Sequence, residues 1–430
     1  MTKHRGMFGA LRVRNYRLFA SGQIVSNVGT WMQRIAQDWL VLELSGKNPV
    51  ALGIAASLQF LPTLFLTLWA GVLADRVDKR KLLILVQSGM AVCAMVLGLL
   101  DVTGLVELWQ VYLLCLVFGV FTAFDPPVRQ SFVAEMVGRD RLANAVALNS
   151  STFNLARIVG PAIAGVMIIW TGTGWVFLVN AVSTLAVITG LFRMNPAELH
   201  RVPVTTSKRG QLREGLRYVR GRPDIIAVLV LVFCVSTFAF TFFTTLAIAA
   251  ANVFHREADG YGLLSTLLAV GSFSGAILAV RRSTRRKPGL PLLVGAGFVF
   301  GLLEVLVGVM PTYLAFGIAL IPCGLAMMTF MNTANSTLQL SVAPEMRGRV
   351  MALYMLVFIG GNPVGAPMTG WLAAEFGGRS PFIIGGLIAA VSTAVCGWVL
   401  ARRGGIRVRT RLPWARRAQP AVTPELAPVD

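Results

Sequence analysis

Four ionisable side chains interrupt long apolar stretches of the sequence: Arg34, Asp38, Arg157 and Glu304. An ionisable residue near the centre of a membrane-spanning helix costs at least about 2.5 kcal/mol on insertion, so each one suggests a bound partner, substrate or proton. Arg34 and Asp38 are four residues apart and share one helix face, where they can form a permanent neutral pair. The functional alternative is that Asp38 accepts a proton and releases an arginine to another partner.

Arg157 lies midway along its apolar stretch, where its guanidinium cannot easily reach either surface, so we expect it to face an internal cavity. It could bind an anionic substrate, pair with a carboxylate, or satisfy carbonyls that Pro161 leaves free. Three amide side chains, Asn154, Asn335 and Asn362, are candidates for the same cavity. Asp125 is expected to cap its helix or to pair with Arg129.

These side chains require membrane-spanning helices to position them. Of the 430 residues, 55% are hydrophobic and 13% are charged, whereas an aqueous surface needs about 25–35% charged residues. An apolar run of about 20 residues crosses the hydrocarbon layer as a helix. Twelve such spans are predicted, at 18–42, 50–74, 82–100, 108–127, 144–170, 175–192, 224–251, 260–280, 290–309, 312–339, 350–374 and 381–401.

The net charge is +20, and the basic residues responsible for it are distributed unequally between the two sides of the membrane. When the N-terminus is placed in the cytoplasm, almost all of the 39 Lys and Arg residues lie on that side, which is the positive-inside pattern. We therefore expect a multi-pass protein of the cell (cytoplasmic) membrane with both termini in the cytoplasm. The basic residues orient the chain, and nucleic acid is not an expected partner.

The polar segment 194–223 divides the chain in two. The predicted organisation is an N-terminal six-helix bundle at 1–193, a cytoplasmic central loop at 194–223, a C-terminal six-helix bundle at 224–401 and a disordered, basic cytoplasmic tail at 402–430.

The second half repeats the first. The pentapeptide EMVGR at 135–139 reappears with one change, as EMRGR, at 345–349, and a constant offset then relates further positions. Such copies, six spans apart, predict parallel repeats related by an axis along the membrane normal. The matched pairs include Gly160 with Gly365, Gly165 with Gly370, Gly172 with Gly377 and Phe177 with Phe382.

The segment 71–81, GVLADRVDKRK, contains Gly71, Asp75, Arg76 and Arg80. It resembles the loop signature GxLaDrxGrk of the major facilitator superfamily, although Asp78 occupies the position of the second glycine. The resemblance implies that this loop locks the cytoplasmic side shut in the outward-open state. The alternative is a basic loop that only sets topology.

The segment 157–165 contains Gly160, Pro161 and Gly165 and resembles the antiporter motif of the same superfamily, with Ala164 in place of one glycine. The resemblance implies export against a proton gradient. Proline among small residues can also give a bend about which helices rock, and simple helix packing is the alternative.

The segments 15–19, 26–31 and 39–44 are similar to the macrolide and siderophore (enterobactin) exporter branch of the drug:proton antiporters. The resemblance implies an all-α membrane protein with twelve transmembrane helices in two six-helix bundles. It implies a secondary active exporter of small amphipathic organic molecules, of drug, antibiotic or siderophore type, driven by proton antiport. The arginine typical of the fourth helix in the larger drug-antiporter group is missing between Trp109 and Phe124.

Two other functions fit the sequence: an uptake symporter of the same fold, and a non-transporting membrane sensor or assembly factor. The phosphate-binding pattern GxxxxGK[ST] and the catalytic patterns HExxH and GxSxG do not occur. We therefore expect neither ATP drive nor an enzyme, and neither a metal nor another cofactor, with the proton gradient as driving force. The expected partners are a small-molecule substrate, protons and membrane lipid, and a monomer is expected.

Overall fold

The computed structural model describes residues 9–200, 211–283 and 289–402, and these are helical with short connections and no β-strand. The first half contains six helices: α1 (Arg14–Leu44), α2 (Pro49–Arg76), α3 (Lys79–Val102), α4 (Leu108–Val137), α5 (Leu142–Thr171) and α6 (Thr173–Phe192). A short helix, α7 (Gln211–Arg220), precedes the second half. The second half contains α8 (Pro223–Phe238), α9 (Phe242–Ile248), α10 (Ala258–Ser283), α11 (Leu290–Val309), α12 (Tyr313–Ser341), α13 (Pro344–Phe376) and α14 (Ser380–Arg402).

Eleven of the predicted spans coincide with helices long and apolar enough to cross a membrane, α8 and α9 together forming the seventh. The remaining span is α1, whose 31 residues cover about 46 Å. It is less apolar because it carries many polar side chains, among them Gln23, Gln33 and Gln37, and these are buried inside the protein. The prediction of an all-α membrane protein built from two six-helix bundles is confirmed.

Several boundaries differ from the prediction. The proline pair at 126–127 does not end α4, which continues to Val137 and stops where Gly138 takes a φ of +70°. In the second half, α13 already begins at Pro344. The repeated pentapeptide therefore ends one helix in the first half and begins another in the second.

The predicted central loop is partly helical. α7 packs against α13, where Glu214 and Arg349 form an ion pair of 2.8 Å. Residues 201–210 and, apart from Arg402, the predicted tail lie outside the described residues. α6 ends at Phe192 and α8 begins at Pro223, each one residue before the proposed boundaries at 193 and 224, and the division into domains stays a prediction.

The two halves have matching packing. In the first half α1 and α3 pack on α6, and α2 packs on α4; in the second half α8 and α11 pack on α14, and α10 packs on α12. Gly172 and Gly377, related by the sequence offset, both end a helix with a φ of +85°. Phe177 and Phe382 are both fully buried. These equivalences confirm the parallel repeat.

The halves meet along two related seams, α5 against α10 and α2 against α13. A Cβ atom on Gly165 would lie 2.9 Å from the Cα atom of Asp259, and one on Gly370 would meet the carbonyl of Pro49. Only glycine permits such backbone contact. The repeat-related glycines therefore perform the same task on opposite sides of the molecule.

Hydrogen bonds between described residues of the two halves lie toward one end of the helices. Near that end the Asn252 amide donates to the Lys47 carbonyl at 3.0 Å, and the Ser57 hydroxyl donates to the Pro363 carbonyl at 2.7 Å. The Thr266 hydroxyl donates to the Ile158 carbonyl at 3.2 Å. This end carries the α1–α2 and α9–α10 connections, and we call it the joined end. The other, which carries the α2–α3 connection, is called the open end.

Helix contacts within a half can be tested by a pair of glycine substitutions. Gly271→Ala on α10 places a methyl group against the Ile321 carbonyl of α12, and we expect a loss of about 1–3 kcal/mol in the free energy of unfolding. Gly295→Ala on α11 has no described atom within 4 Å of the added Cβ and should be neutral or stabilising. Thermal and denaturant unfolding of the purified protein in detergent measure both. Equal stability of the two variants would contradict the α10–α12 contact.

Candidate functional site

A cavity of 210 Å³, lined by both polar and aromatic side chains, lies between α1, α2, α4, α5 and α9. Most of its polar side chains come from α1, because the buried face of that helix carries amides where its neighbours carry aliphatic residues. Such a lining offers hydrogen bonds, aromatic surface and one positive charge to a small ligand. The residues that supply these features are Asn27, Gln33, Arg34, Gln37, Gln59, Trp31, Phe60, Phe153 and Phe243.

A second cavity of 670 Å³ continues from the first toward the open end. The two cavities share Asn27 and Phe153 in their linings, so they adjoin each other. We call the two linked cavities the route. Asn149 and Asn154 of α5 line the outer part, together with Arg129 of α4. A third space, of 740 Å³, is an apolar groove between α8 and α14 and lies apart from this route.

Asp38 connects the cavity to the seam between the halves. Its carboxyl group is 1% exposed and lies 3.5 Å from Nε of Arg34, although Nε makes no hydrogen bond. The hydroxyl of Tyr261 on α10 donates to Asp38 Oδ2 at 2.8 Å. The predicted pair with Arg34 is thus present, but the hydrogen bond that Asp38 receives from the other half comes from Tyr261, which sequence reasoning missed.

Arg34 is held between aromatic rings. Its guanidinium carbon lies 5.1 Å from the ring centre of Phe60 and 5.3 Å from that of Phe243. Phe243 also lies 5.4 Å from Trp31. Stacking on ring faces stabilises a cation without neutralising it. The rings therefore hold the guanidinium at the cavity wall, where its charge is shared with Asp38.

Arg157 does not line either cavity among the described residues, although its neighbours Phe153 and Asn154 do. It is partly buried, and its Nη2 atom is buried without a hydrogen-bond partner. The structure thus places beside the route a guanidinium whose Nη2 atom has no hydrogen-bond partner among the described residues. Its predicted role in binding stays a prediction.

The predicted bend motif makes close contacts on two sides of α5. A Cβ on Gly160 would lie 2.5 Å from Cβ of Trp31 on α1, while Gly165 contacts α10. The carbonyl of Pro161 lies 2.5 Å from the position of a Cβ on Gly262 of α10. α5 runs without interruption from Leu142 to Thr171. In this conformation the motif serves helix packing.

Asp125 and Arg129 form an ion pair within α4, and the Gln87 amide of α3 donates to Asp125 at 2.7 Å. Sequence reasoning placed Asp125 at a helix end and left it out of the site. Because α4 extends beyond the proline pair, both residues line the larger cavity. Their spacing of four residues was the available signal.

The segment 71–81, for which the resemblance implies a gating role, makes its described contacts within its own half. Arg80 donates to the carbonyls of Leu191 and Phe192 at 2.6 and 3.0 Å, which caps the end of α6. Arg76 is exposed, and no described atom lies within 4 Å of a Cβ built on Gly71. The side chain of Asp75 lies outside the described part of the structure.

The remaining predicted amides divide between the halves. Asn154 donates to the Ser150 carbonyl at 2.8 Å at the mouth of the route. Asn335 accepts a hydrogen bond from Gln339 at 2.6 Å, and Asn362 is partly buried on α13. Neither of the last two lines the two cavities among the described residues. The polar lining is therefore supplied mainly by the first half.

Two parallel six-helix bundles, with a polar route that begins between them and opens at one end, define a membrane transporter of the major facilitator type. The chain belongs to the Transmembrane secretion effector family of that superfamily, whose model matches residues 5–416. Membership makes it a transporter and not an enzyme, in agreement with the sequence prediction.

Relatives and solved structures share this architecture. The Staphyloferrin A transporter of Staphylococcus aureus is 24% identical over 381 residues, covering 88% of this chain and 94% of that protein. Macrolide efflux protein A of Streptococcus pyogenes is 22% identical over 397 residues, covering 90% and 95%. The crystal structure of a POT family transporter in complex with 5-aminolevulinic acid superposes with a TM-score of 0.72 at 12% identity, covering 93% of this chain and 98% of that one. This last likeness is one of fold.

A double-mutant cycle tests the link between the halves. Tyr261→Phe alone should lower the free energy of unfolding by about 1.5–3 kcal/mol, because the buried Asp38 loses its donor. Combined with Asp38→Asn, the two effects should be less than additive, with a coupling of about 0.5–3 kcal/mol. Equilibrium unfolding in detergent measures the cycle.

The matched control is Tyr313→Phe, whose hydroxyl donates to the Gly260 carbonyl at 2.8 Å within the second half. Its effect should add to that of Asp38→Asn. Additivity in the Tyr261 cycle as well would contradict the assigned contact.

Proposed function

We propose that the chain is a secondary active exporter of small amphipathic organic molecules that works by alternating access. The observation that carries the proposal is the route of two linked cavities, which leads from Arg34 to the open end while the halves are hydrogen-bonded at the joined end. Amides and aromatic rings in its lining suit a ligand with both polar and apolar parts. The names of the two bacterial relatives, a siderophore transporter and a macrolide efflux protein, support the same substrate class.

We further propose that the open end faces the cytoplasm, as the positive-inside pattern predicts. The structure would then be in the inward-open state, in which a cytoplasmic substrate can enter. The absence of described neighbours around Gly71 fits this assignment, because the superfamily loop is expected to meet the second half only in the outward-open state. Arg157, with its unpartnered Nη2, is a candidate to receive an anionic group of the substrate.

Asp38 is proposed as the group that exchanges protons. In the inward-open state its carboxylate is neutralised by Arg34 and accepts a hydrogen bond from Tyr261. When the joined end separates, Tyr261 withdraws and a proton from outside can bind the carboxylate. Arg34 then loses its counterion. Return to the inward-open state releases the proton on the cytoplasmic side, and the pair re-forms.

Transport by proteoliposomes tests this mechanism. The purified protein is reconstituted, a proton gradient is imposed, and movement of macrolides, siderophores and dyes is measured. Asp38→Asn should lose gradient-driven export of any transported compound while keeping passive counterflow, because only the proton-binding step is removed. Glu43→Gln, at the exposed outer end of the same helix, should transport normally.

Undiminished gradient-driven export by Asp38→Asn would remove Asp38 from proton exchange. Movement of substrate in the same direction as the protons would instead identify an uptake symporter. A protein that binds partners while moving no compound would match the sensor alternative.

Cysteine labelling tests the assigned sides. In a Cys234→Ser background, which removes the one cysteine that is not buried, Ser150→Cys lies in the open cavity and Ser57→Cys lies in the seam. A membrane-impermeant maleimide should label Ser150→Cys in everted vesicles at least several-fold faster than Ser57→Cys. Faster labelling of Ser150→Cys in intact cells than in everted vesicles would reverse the proposed orientation.

A further inference from the structure

Glu304 lies on α11, away from the route described above, and is 2% exposed. Its Oε2 atom is buried without a hydrogen-bond partner, and no described cation forms an ion pair with it. An unpaired carboxylate is unfavourable in such surroundings, because neither water nor a cation offsets its charge. The enclosure therefore favours the protonated form of Glu304.

The helices around Glu304 supply few groups that could compete for this proton. Cys323 of α12 is the titratable side chain near enough to interact with it electrostatically. Arg379, just before α14, is engaged by the carbonyls of Gly308 and Met310, the latter at 2.7 Å. The other titratable or charged side chains of the surrounding helices α8, α12 and α14 are Asp224, Cys234, Tyr313, Cys396 and Arg402, and α9 has none.

Glu304 lies next to an interruption in the seventh span. α8 ends at Phe238 and α9 starts at Phe242, so the residues between them are not helical. A Cβ on Gly385 of α14 would meet the Phe238 carbonyl and would lie 3.5 Å from Glu304 Oε1. The carboxyl group and the last carbonyl of α8 therefore both lie against Gly385.

Aromatic contacts, followed by one step along the backbone, connect this interruption to the cavity that contains Arg34. Phe300, one helical turn before Glu304, lies 5.8 Å from Phe240 and 6.1 Å from Phe242 by ring centres. The next residue, Phe243, lines the cavity, and its ring faces the guanidinium of Arg34. A change in the angle between α8 and α9 would thus move Phe243 relative to the guanidinium.

We propose that Glu304 is a second proton-binding site whose occupancy sets the bend between α8 and α9. In the present conformation the acid is neutral and enclosed. When the bend changes in the outward-open state, the Phe238 carbonyl moves away from Gly385 and water reaches the carboxyl group from outside. The O–H bond then breaks, the proton passes to that water, and the carboxylate is stabilised by hydration. The proton returns from the same outer water before the joined end closes, so Glu304 moves no net proton across the membrane and does not cancel the proton carried by Asp38. This inference rests on the proposed alternating access, and it concerns a site separate from Asp38.

Infrared difference spectroscopy tests proton binding directly and needs no substrate. Purified protein reconstituted in lipid is titrated from acidic to alkaline pH, and the C=O stretching band of protonated carboxylic acids is recorded. Glu304→Gln should remove one component of this band, and Asp38→Asn should leave that component in place. A spectrum of Glu304→Gln identical to that of the unmodified protein would overturn the proposal.

A distance measurement tests the link to the bend. Spin labels at Val146→Cys and Leu340→Cys, both exposed near the open end, report the separation of the halves. In an otherwise unmodified protein the distance distribution should shift with pH, whereas Glu304→Gln should keep the distribution found at acidic pH. Glu304→Leu, a second neutral replacement, should behave like Glu304→Gln, and Glu43→Gln should retain the shift.

The outcomes separate this proposal from the proposed function. Retention of the full pH shift in both neutral variants would overturn the coupling between Glu304 and the bend. If the neutral Glu304 variants lose both the infrared component and the pH-dependent distance shift, the inference is supported. This holds even where Asp38→Asn transports normally, because neither measurement involves a substrate. If none of the tested macrolides, siderophores and dyes is exported under a proton gradient, the proposed exporter function is contradicted. The infrared and distance results on Glu304 remain valid in that case.

Discussion

Hydrocarbon offers no hydrogen bonds, so backbone polar groups within the membrane must be paired inside the protein and polar side chains are costly against lipid. This constraint explains the position of α1. Its amides and its two charged residues would be costly against lipid, and the helix is therefore enclosed by α2, α5 and α6 with its polar side chains buried. The same enclosure builds the cavity, because the groups excluded from lipid line the space at the centre. Asp38 is part of this solution, since its hydroxyl donor comes from the opposite bundle.

The parallel repeat determines how the two bundles touch. Glycines related by the internal offset bring backbone against backbone at α5–α10 and α2–α13, so the seams are matched on both sides of the cavity. The charged groups do not follow this symmetry. Arg34, Asp38 and Arg157 belong to the first half, and the second half contributes Tyr261 and Phe243 to their surroundings. One bundle thus carries most of the polar chemistry, while the other completes its contacts.

The architecture could be predicted from the sequence because hydropathy, charge placement and the internal repeat are local or periodic signals. The pair of Arg34 and Asp38 was predictable for the same reason, since a spacing of four residues fixes a shared helix face. The donor to Asp38 was not, because Tyr261 is far away along the chain and no pattern joins them. The extension of α4 was missed because the predicted span stopped at residue 127, which placed Asp125 at a helix end and Arg129 outside the helix. The surroundings of Arg157 depend on the rotation of α5, which periodicity alone does not determine.

The division between a cavity lined by side chains and seams made of backbone has a consequence for evolution. A substitution at Asn27, Phe60 or Phe153 alters the chemistry offered to a ligand without touching the glycine seams on which the bundles pack. A substitution at Gly165 or Gly370 does the reverse. Cavity chemistry and bundle contact are therefore separable traits in this protein. Divergent descendants of one ancestor could acquire unrelated cargoes while inheriting an unchanged mechanical frame.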